Sequence, residues 1–219
     1  MPGVALNPTV GPVVAPDGAE TNPRSGRERE VVTIDVGKGR YYEEARLQNV
    51  WTLSTPTGGI IVTANMLTSV ASHNGIGLYN PVGSQKNLSI LRAVVVVVGG
   101  TLTTGGAFVW GCVPTSTGIT GAGVLTAKNN YTLAANSPSP VAKVFDGSVA
   151  VTGSAVSNIF RTFAGGGSGA VAAGSAMTFE EIVDGDIVAK ADTFIGLFNT
   201  IASTALTIYA SITWAEIPI

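Results

Sequence analysis

The chain reads as an all-β, jelly-roll-like β-sandwich with an extended N-terminal arm, and three observations predict it. Residues 88–98 form an apolar run that ends Val94-Val95-Val96-Val97-Val98 and stops at Gly99-Gly100. β-Branched side chains are stiff at χ1 and suit a pleated sheet, and a run this short bounded by glycine is a strand rather than a helix. In the closing segment, residues 204–217, Leu206 to Trp214 alternate apolar and polar with a strict period of two. Between and around these segments lie short β-rich runs at even spacing, eight to ten in all, separated by Gly, Pro, Asn and Asp. That pattern favours a sandwich or jelly roll over any α/β fold.

The arm comes first. Residues 1–30 carry Pro2, Pro8, Pro12, Pro16 and Pro23, show no apolar periodicity, and end on the alternating charges of Arg24-Ser25-Gly26-Arg27-Glu28-Arg29-Glu30. Such a segment buries too little apolar surface to offset its own ordering entropy. Either it is a plain tail, or Arg24, Arg27, Glu28, Arg29 and Glu30 make mixed ion pairs with a neighbouring protein. The sandwich is expected over 31–219. Val31 to Val36 is its first strand, Arg40 to Trp51 is ambiguous with Tyr41 and Tyr42 leaning to extended chain, and Gly59 to Thr63 is another strand. A helical turn is expected near Asn65 to Ala71. Gly75 to Tyr79 and the Asn80-Pro81-Val82-Gly83 turn lead into the valine strand, expected to be covered on both faces.

Ala107 to Val113 is its partner strand, followed by short strands at 124–126, 131–133 and 141–145. Asp146-Gly147 makes a hairpin turn to 148–152, and 155–163 is a strand or a short helix. Gly165 to Gly169 is a flexible loop. Residues 177–183 and 187–191 read as a hairpin turned by Asp184-Gly185-Asp186, and Thr193 to Thr200 adds one strand more. In the closing strand Leu206, Ile208, Ala210, Ile212 and Trp214 face a core, with Thr207, Tyr209, Ser211 and Thr213 on the other side.

Composition narrows function. Charged residues make up 12% of the chain against about 25% in an average domain. Net charge is −2, which lacks the basic footprint of a nucleic-acid binder. One cysteine rules out an intrachain disulfide, and residues 1–20 show no signal-peptide pattern. Half of the 26 charged residues fall in 1–50, and no carboxylate occurs from Ala45 to Phe145. A surface so poor in charge is spent on protein contacts.

Chemistry finds little footing. His73, the single histidine, sits in a turn-like Ser72-His73-Asn74-Gly75, and a histidine metal site needs more ligands. Cys112 is expected mid-strand as a buried, inert thiol. Glu180, Glu181, Asp184 and Asp186 form an acidic cluster, better explained by a turn than by a calcium loop or a glycosidase pair. Gly165 to Ala170 fits G-x-G-x-x-A without the strand and helix a nucleotide loop needs. No catalytic residue, cofactor or metal is expected.

Three motifs frame residues 39–219: Gly39-Arg40-Tyr41-Tyr42-Glu43, then Asn80-Pro81-Val82-Gly83-Ser84-Gln85-Lys86-Asn87-Leu88, then the ending Ser211-Ile212-Thr213-Trp214-Ala215-Glu216-Ile217-Pro218-Ile219. On these the chain resembles the virion structural proteins of tailed bacteriophages. The resemblance implies a non-enzymatic β-sandwich on the capsid surface, a trimeric head decoration (cement) protein made in the host cytoplasm. Its implied partners are the major capsid protein and copies of itself, meeting through apolar, Thr-rich faces, with no nucleic acid, membrane or small-molecule substrate. A tail, neck or fibre component is the nearest alternative. A carbohydrate- or receptor-binding module, with Tyr41, Tyr42, Trp51 or Tyr131 as sugar platforms, is the alternative from another class.

Overall fold

The computed structural model describes residues 24–25, 31–32, 41–62, 76–102, 107–113, 127–135, 140–145, 158–165, 169–170, 176–200 and 204–219. The chain divides into two units, Met1–Tyr42 and Glu43–Ile219. In the first, β1 (Arg24–Ser25) pairs antiparallel with β2 (Val31–Val32). Arg27 to Glu30 and the expected strand residues 33–36 lie outside the described residues, as do the turn near 65–71, His73, and strands 124–126 and 148–152.

The second unit is an all-β sandwich, two antiparallel sheets packed face to face. A short helix, α1 (Tyr42–Arg46), lies at its start. Glu44 and Arg46 win over the extended preference of Tyr41 and Tyr42, because Gln48 N–H closes the helix on Ala45 C=O and Asn49 N–H on Glu44 C=O. The strands that follow are β3 (Val50–Ser54), β4 (Ile60–Val62), β5 (Gly77–Asn80), β6 (Lys86–Leu102), β7 (Ala107–Val113), β8 (Lys128–Asn129), β9 (Lys143–Phe145), β10 (Asn158–Gly165), β11 (Gly169–Ala170), β12 (Met177–Ala189), β13 (Thr193–Asn199) and β14 (Thr204–Pro218). One sheet runs β10-β7-β13-β5-β9. The other runs β11-β6-β14-β3-β8, with β12 also on β6 and β4 also on β14.

Eight of these strands carry the architecture: β3, β5, β6, β7, β10, β12, β13 and β14. Numbered in that order, one sheet holds the sixth, third, eighth and first, and the other holds the fifth, fourth, seventh and second. That interleaving is the double Greek key of a jelly roll. The core between the sheets draws Leu53, Leu88, Ile90, Val95, Val97, Leu206, Ile212, Trp51 and Trp214 from one side and Leu78, Trp110, Ile195 and Leu197 from the other. The closing strand keeps its expected register: Leu206, Ile208, Ala210, Ile212 and Trp214 are buried, and Tyr209 is exposed.

Three expectations are corrected. The valine strand is longer than 88–98 and central to its sheet, but only one of its faces is in the core. Ala93, Val95 and Val97 are buried, whereas Val94, Val96 and Val98 are only half-buried. The strand covered on both faces is β13, in which every residue from Thr193 to Asn199 is buried. Glycine makes that possible. Gly196 pairs with Gly77 on one side and Gly111 on the other, a three-strand trough into which Phe194 lays its ring. A Cβ on Gly77 would stand 2.5 Å from Phe194 Cζ.

Asp184-Gly185-Asp186 is not a hairpin turn. Residues 177–182 and 187–189 both pair with β6, and between Ile182↔Arg92 and Ile187↔Ile90 the four residues 183–186 face the single Leu91. The insertion is a four-residue bulge. It uses turn chemistry, with Asp184 at φ 56° and Gly185 at φ 90°, but a partner as long as β6 lets the strand resume on the same neighbour. Residues 131–133, expected as a strand, form a turn after β8. Asn129 explains it: its Oδ1 accepts from Tyr131 N–H and Thr132 N–H, an Asx turn that diverts the chain.

Candidate functional site

The acidic cluster is taken apart by strand alternation. Glu180 points outward and pairs with Arg92 at 2.8 Å, with both side chains near half exposed. Such a surface pair contributes on the order of 0–1 kcal/mol. Glu181 points inward. Its Oε2 accepts the Trp110 indole N–H at 2.7 Å, and its Oε1 lies 2.6 Å from Arg161 Nε. Arg161 also sits 4.0 Å from Asp186. Trp110 (β7) and Arg161 (β10) belong to one sheet and Glu181 and Asp186 (β12) to the other, so this network closes a flank of the sandwich. The carboxylate is consumed by structural donors. Among the described residues no three His, Cys, Asp or Glu side chains gather to hold a metal ion.

Cys112 is half-buried in β7 rather than fully buried, and desolvation pushes its thiol above the ordinary range. At neutral pH it therefore holds its proton, which is the wrong state for a nucleophile. Trp51, Trp110 and Trp214 are all fully buried, so Trp51 is unavailable as a sugar platform. Tyr42 and Tyr131 are exposed, and Tyr41 is half-buried. Of the arm residues expected to contact a partner, Arg24 lies in β1, while Arg27, Glu28, Arg29 and Glu30 lie outside the described residues.

Two surfaces remain with the character of contact sites. The first is the outer face of the seven-stranded sheet. Across it run rows Thr178–Val96–Tyr209, Glu180–Val94–Ser211–Ser54 and Ile182–Arg92–Thr213–Thr52–Lys128. Val, Thr, Ser and Tyr dominate, Ile61 and Ile182 are exposed at its margins, and the charges gather towards one side. Thr52 Oγ1 bonds Asn130 Oδ1 at 2.8 Å and Thr213 Oγ1 at 3.0 Å, so the hydroxyls are fixed in place.

The second is the end of the sandwich where β3 begins and β14 finishes. Three buried polar residues, none of them singled out from sequence, staple its loops. Asn80 Nδ2 donates to Lys86 C=O and Ala189 C=O, tying the Pro81–Gln85 turn to the facing sheet. Asn129 Nδ2 donates to Gln48 C=O. Glu216 is 1% exposed, accepts from Val141 N–H at 2.8 Å and Ala142 N–H at 3.0 Å through Oε1, and pairs with Lys86 Nζ at 3.2 Å through Oε2. The loops so fixed expose Leu47, Val82, Tyr131, Leu133 and Ile219. The only sequence signal for Glu216 is its place: a carboxylate directly after the inward Trp214-Ala215, where alternation breaks.

No family model, curated protein or solved structure matches this chain. Among the described residues no helix is long and apolar enough to cross a membrane.

Proposed function

We propose that the chain is a non-enzymatic structural protein of a tailed-phage virion, a decoration (cement) protein on the head. The observation that carries this reading is the outer face of the seven-stranded sheet: a broad, fixed surface of Val94, Val96, Tyr209, Ser211 and Thr213, ready to lie against another protein. Contiguous apolar surface on a soluble protein marks a contact site. Glu181, the inward carboxylate of the flank, is held by Trp110 and Arg161, an arrangement that supports a contact role.

In this reading the major capsid protein and copies of the chain are the partners, the oligomer is a trimer, and the arm residues Arg24, Arg27, Glu28, Arg29 and Glu30 add ion pairs to neighbouring subunits. A protein that binds only the assembled shell stabilises it by mass action. The test is to add the purified chain to particles lacking it and measure occupancy and shell melting. Saturable occupancy with a raised melting temperature is expected. No binding to the head, or binding confined to tail or neck, overturns it.

A further inference from the structure

We infer that Asn80 and Thr193 bind one structural water molecule between the two sheets, and that this water completes the lock on the stapled end of the sandwich. The inference concerns the chain's own fold and stands whether or not the proposed function does.

Four strands meet at the site. Asn80 ends β5 and Thr193 opens β13 in the five-stranded sheet, while Lys86 opens β6 and Ala189 closes β12 in the other. Asn80 and Thr193 are direct cross-strand partners, and Leu78 and Ile195 are the next pair of the same parity. Alternation places all four side chains on one face of the sheet. Leu78 and Ile195 lie in the core, so Asn80 and Thr193 face the inter-sheet space at its end. They are 0% and 8% exposed, which shuts bulk solvent out.

The bonds of Asn80 define what the site takes. Its C=O accepts the Asp192 N–H at 2.8 Å. Its Nδ2 uses both hydrogens, on Lys86 C=O at 2.8 Å and Ala189 C=O at 3.0 Å. The amide cannot be turned over, because Oδ1 would then face two carbonyl oxygens at those distances. Among the described residues no donor reaches Asn80 Oδ1, and Thr193 Oγ1 beside it has no partner either. Two buried oxygens left so would each be costly.

A water molecule serves both. Opposed residues hold their Cβ atoms about 4.5–5.5 Å apart, close to the span of two successive O–H···O bonds of about 2.7–2.8 Å. Water donates to Oδ1, which only accepts, and bonds Oγ1, which donates and accepts. The second lone pairs of the Lys86 and Ala189 carbonyls give its other hydrogen an acceptor, completing the set of about three partners typical of a buried water. A cation suits the site less well, because every one of these oxygens is neutral. The carboxylates of this end are engaged elsewhere, Asp192 Oδ1 by the Tyr79 hydroxyl and Glu216 by Lys86 and two backbone N–H groups. The bridge holds the start of β13 as the amide holds the Pro81–Gln85 turn. Each of these connections carries a non-glycine residue at positive φ, Gln85 at 53° and Asp192 at 61°. Such backbone persists only where its surroundings over-determine it.

The test is a crystal structure of the full chain together with thermal melts of variants. An ordered oxygen is expected about 2.7–3.0 Å from both Asn80 Oδ1 and Thr193 Oγ1. Thr193→Ser should retain that oxygen and Thr193→Val should lose it. Thr193→Val also leaves Oδ1 without its donor, so the melting temperature should fall by about 2 °C or more. A hydroxyl buried without a bridge predicts the reverse, since valine suits a strand and removes a desolvated group. A melting temperature of Thr193→Val at or above wild type therefore overturns the inference. So does a wild-type structure with no ordered oxygen there, or with Thr193 Oγ1 bonded directly to Asn80. A melting temperature that rises with K⁺ or Na⁺ at constant ionic strength would mark a cation and overturn it too.

Discussion

Glu216 shows how one side chain governs a region. A buried carboxylate is costly unless several donors meet it, and here two backbone N–H groups and an ammonium do so. Glu216→Leu would orphan the Val141 and Ala142 donors, each at about 1–3 kcal/mol, and free the segment that leads into β9. The expected loss is about 2–4 kcal/mol in a urea titration, with Lys86 contributing little because it is partly solvated. Trp214 makes a different case. It is wholly buried beside Trp51, its register partner, yet its indole N–H has no acceptor. Trp214→Ala should cost about 3–5 kcal/mol through the cavity. Trp214→Phe should cost distinctly less, because it also removes an unsatisfied donor. A loss below about 1 kcal/mol for the alanine variant would mean the residue is not core.

At the scale of elements, the long strands were legible because periodicity reports burial, and β14 obeys it from Leu206 to Trp214. The illegible parts are those where two sequences of equal local meaning differ in their partners. Asp-Gly-Asp reads as a hairpin, and only the length of β6 makes it a bulge. Five valines read as doubly buried, but a β-branched residue fits an outer face equally well. The strand that is doubly buried, β13, is marked by Gly196 between Phe194 and Phe198, a signal that needs Gly77 and Gly111 as neighbours to mean anything. Gly77→Ala tests the trough. Its Cβ would meet Phe194, whose ring is held edge-on by Phe145 at 5.7 Å and Phe198 at 6.3 Å. Overpacking of this kind costs about 1–3 kcal/mol, to be read as a lowered thermal midpoint. An unchanged midpoint would show the ring free to move.

For the whole molecule, the jelly-roll class followed from strand spacing and alternation, while its surfaces did not. Low charge pointed to protein contacts in general, but which residues share the outer face is set by the register of β12, β6, β14, β3 and β8. The candidate network around Glu181 was equally hidden, since adjacent Glu180 and Glu181 look alike until alternation sends them to opposite faces. The outer face yields a prediction of its own. Val96→Glu, at a half-buried position between Thr178 and Tyr209, should leave the fold intact by circular dichroism and lower occupancy on particles at least tenfold, as truncating a central contact does. Equal occupancy would remove this face from the contact.

The position of β14 in its sheet has a consequence for how the chain comes to be folded. It joins β6 on one side and β3 and β4 on the other, yet it follows all of them in sequence. During synthesis the ribosome releases β3, β4 and β6 with their middle partner still unmade, and loops of more than a hundred residues must close before β3 and β14 meet. Closure is therefore late, non-local and slow. Until β14 emerges, the valine edge of β6 is an unpaired template for other nascent chains, the situation in which strands aggregate. Fast synthesis at high copy number should push this protein towards inclusion bodies, and slow expression at low temperature should return it to solution.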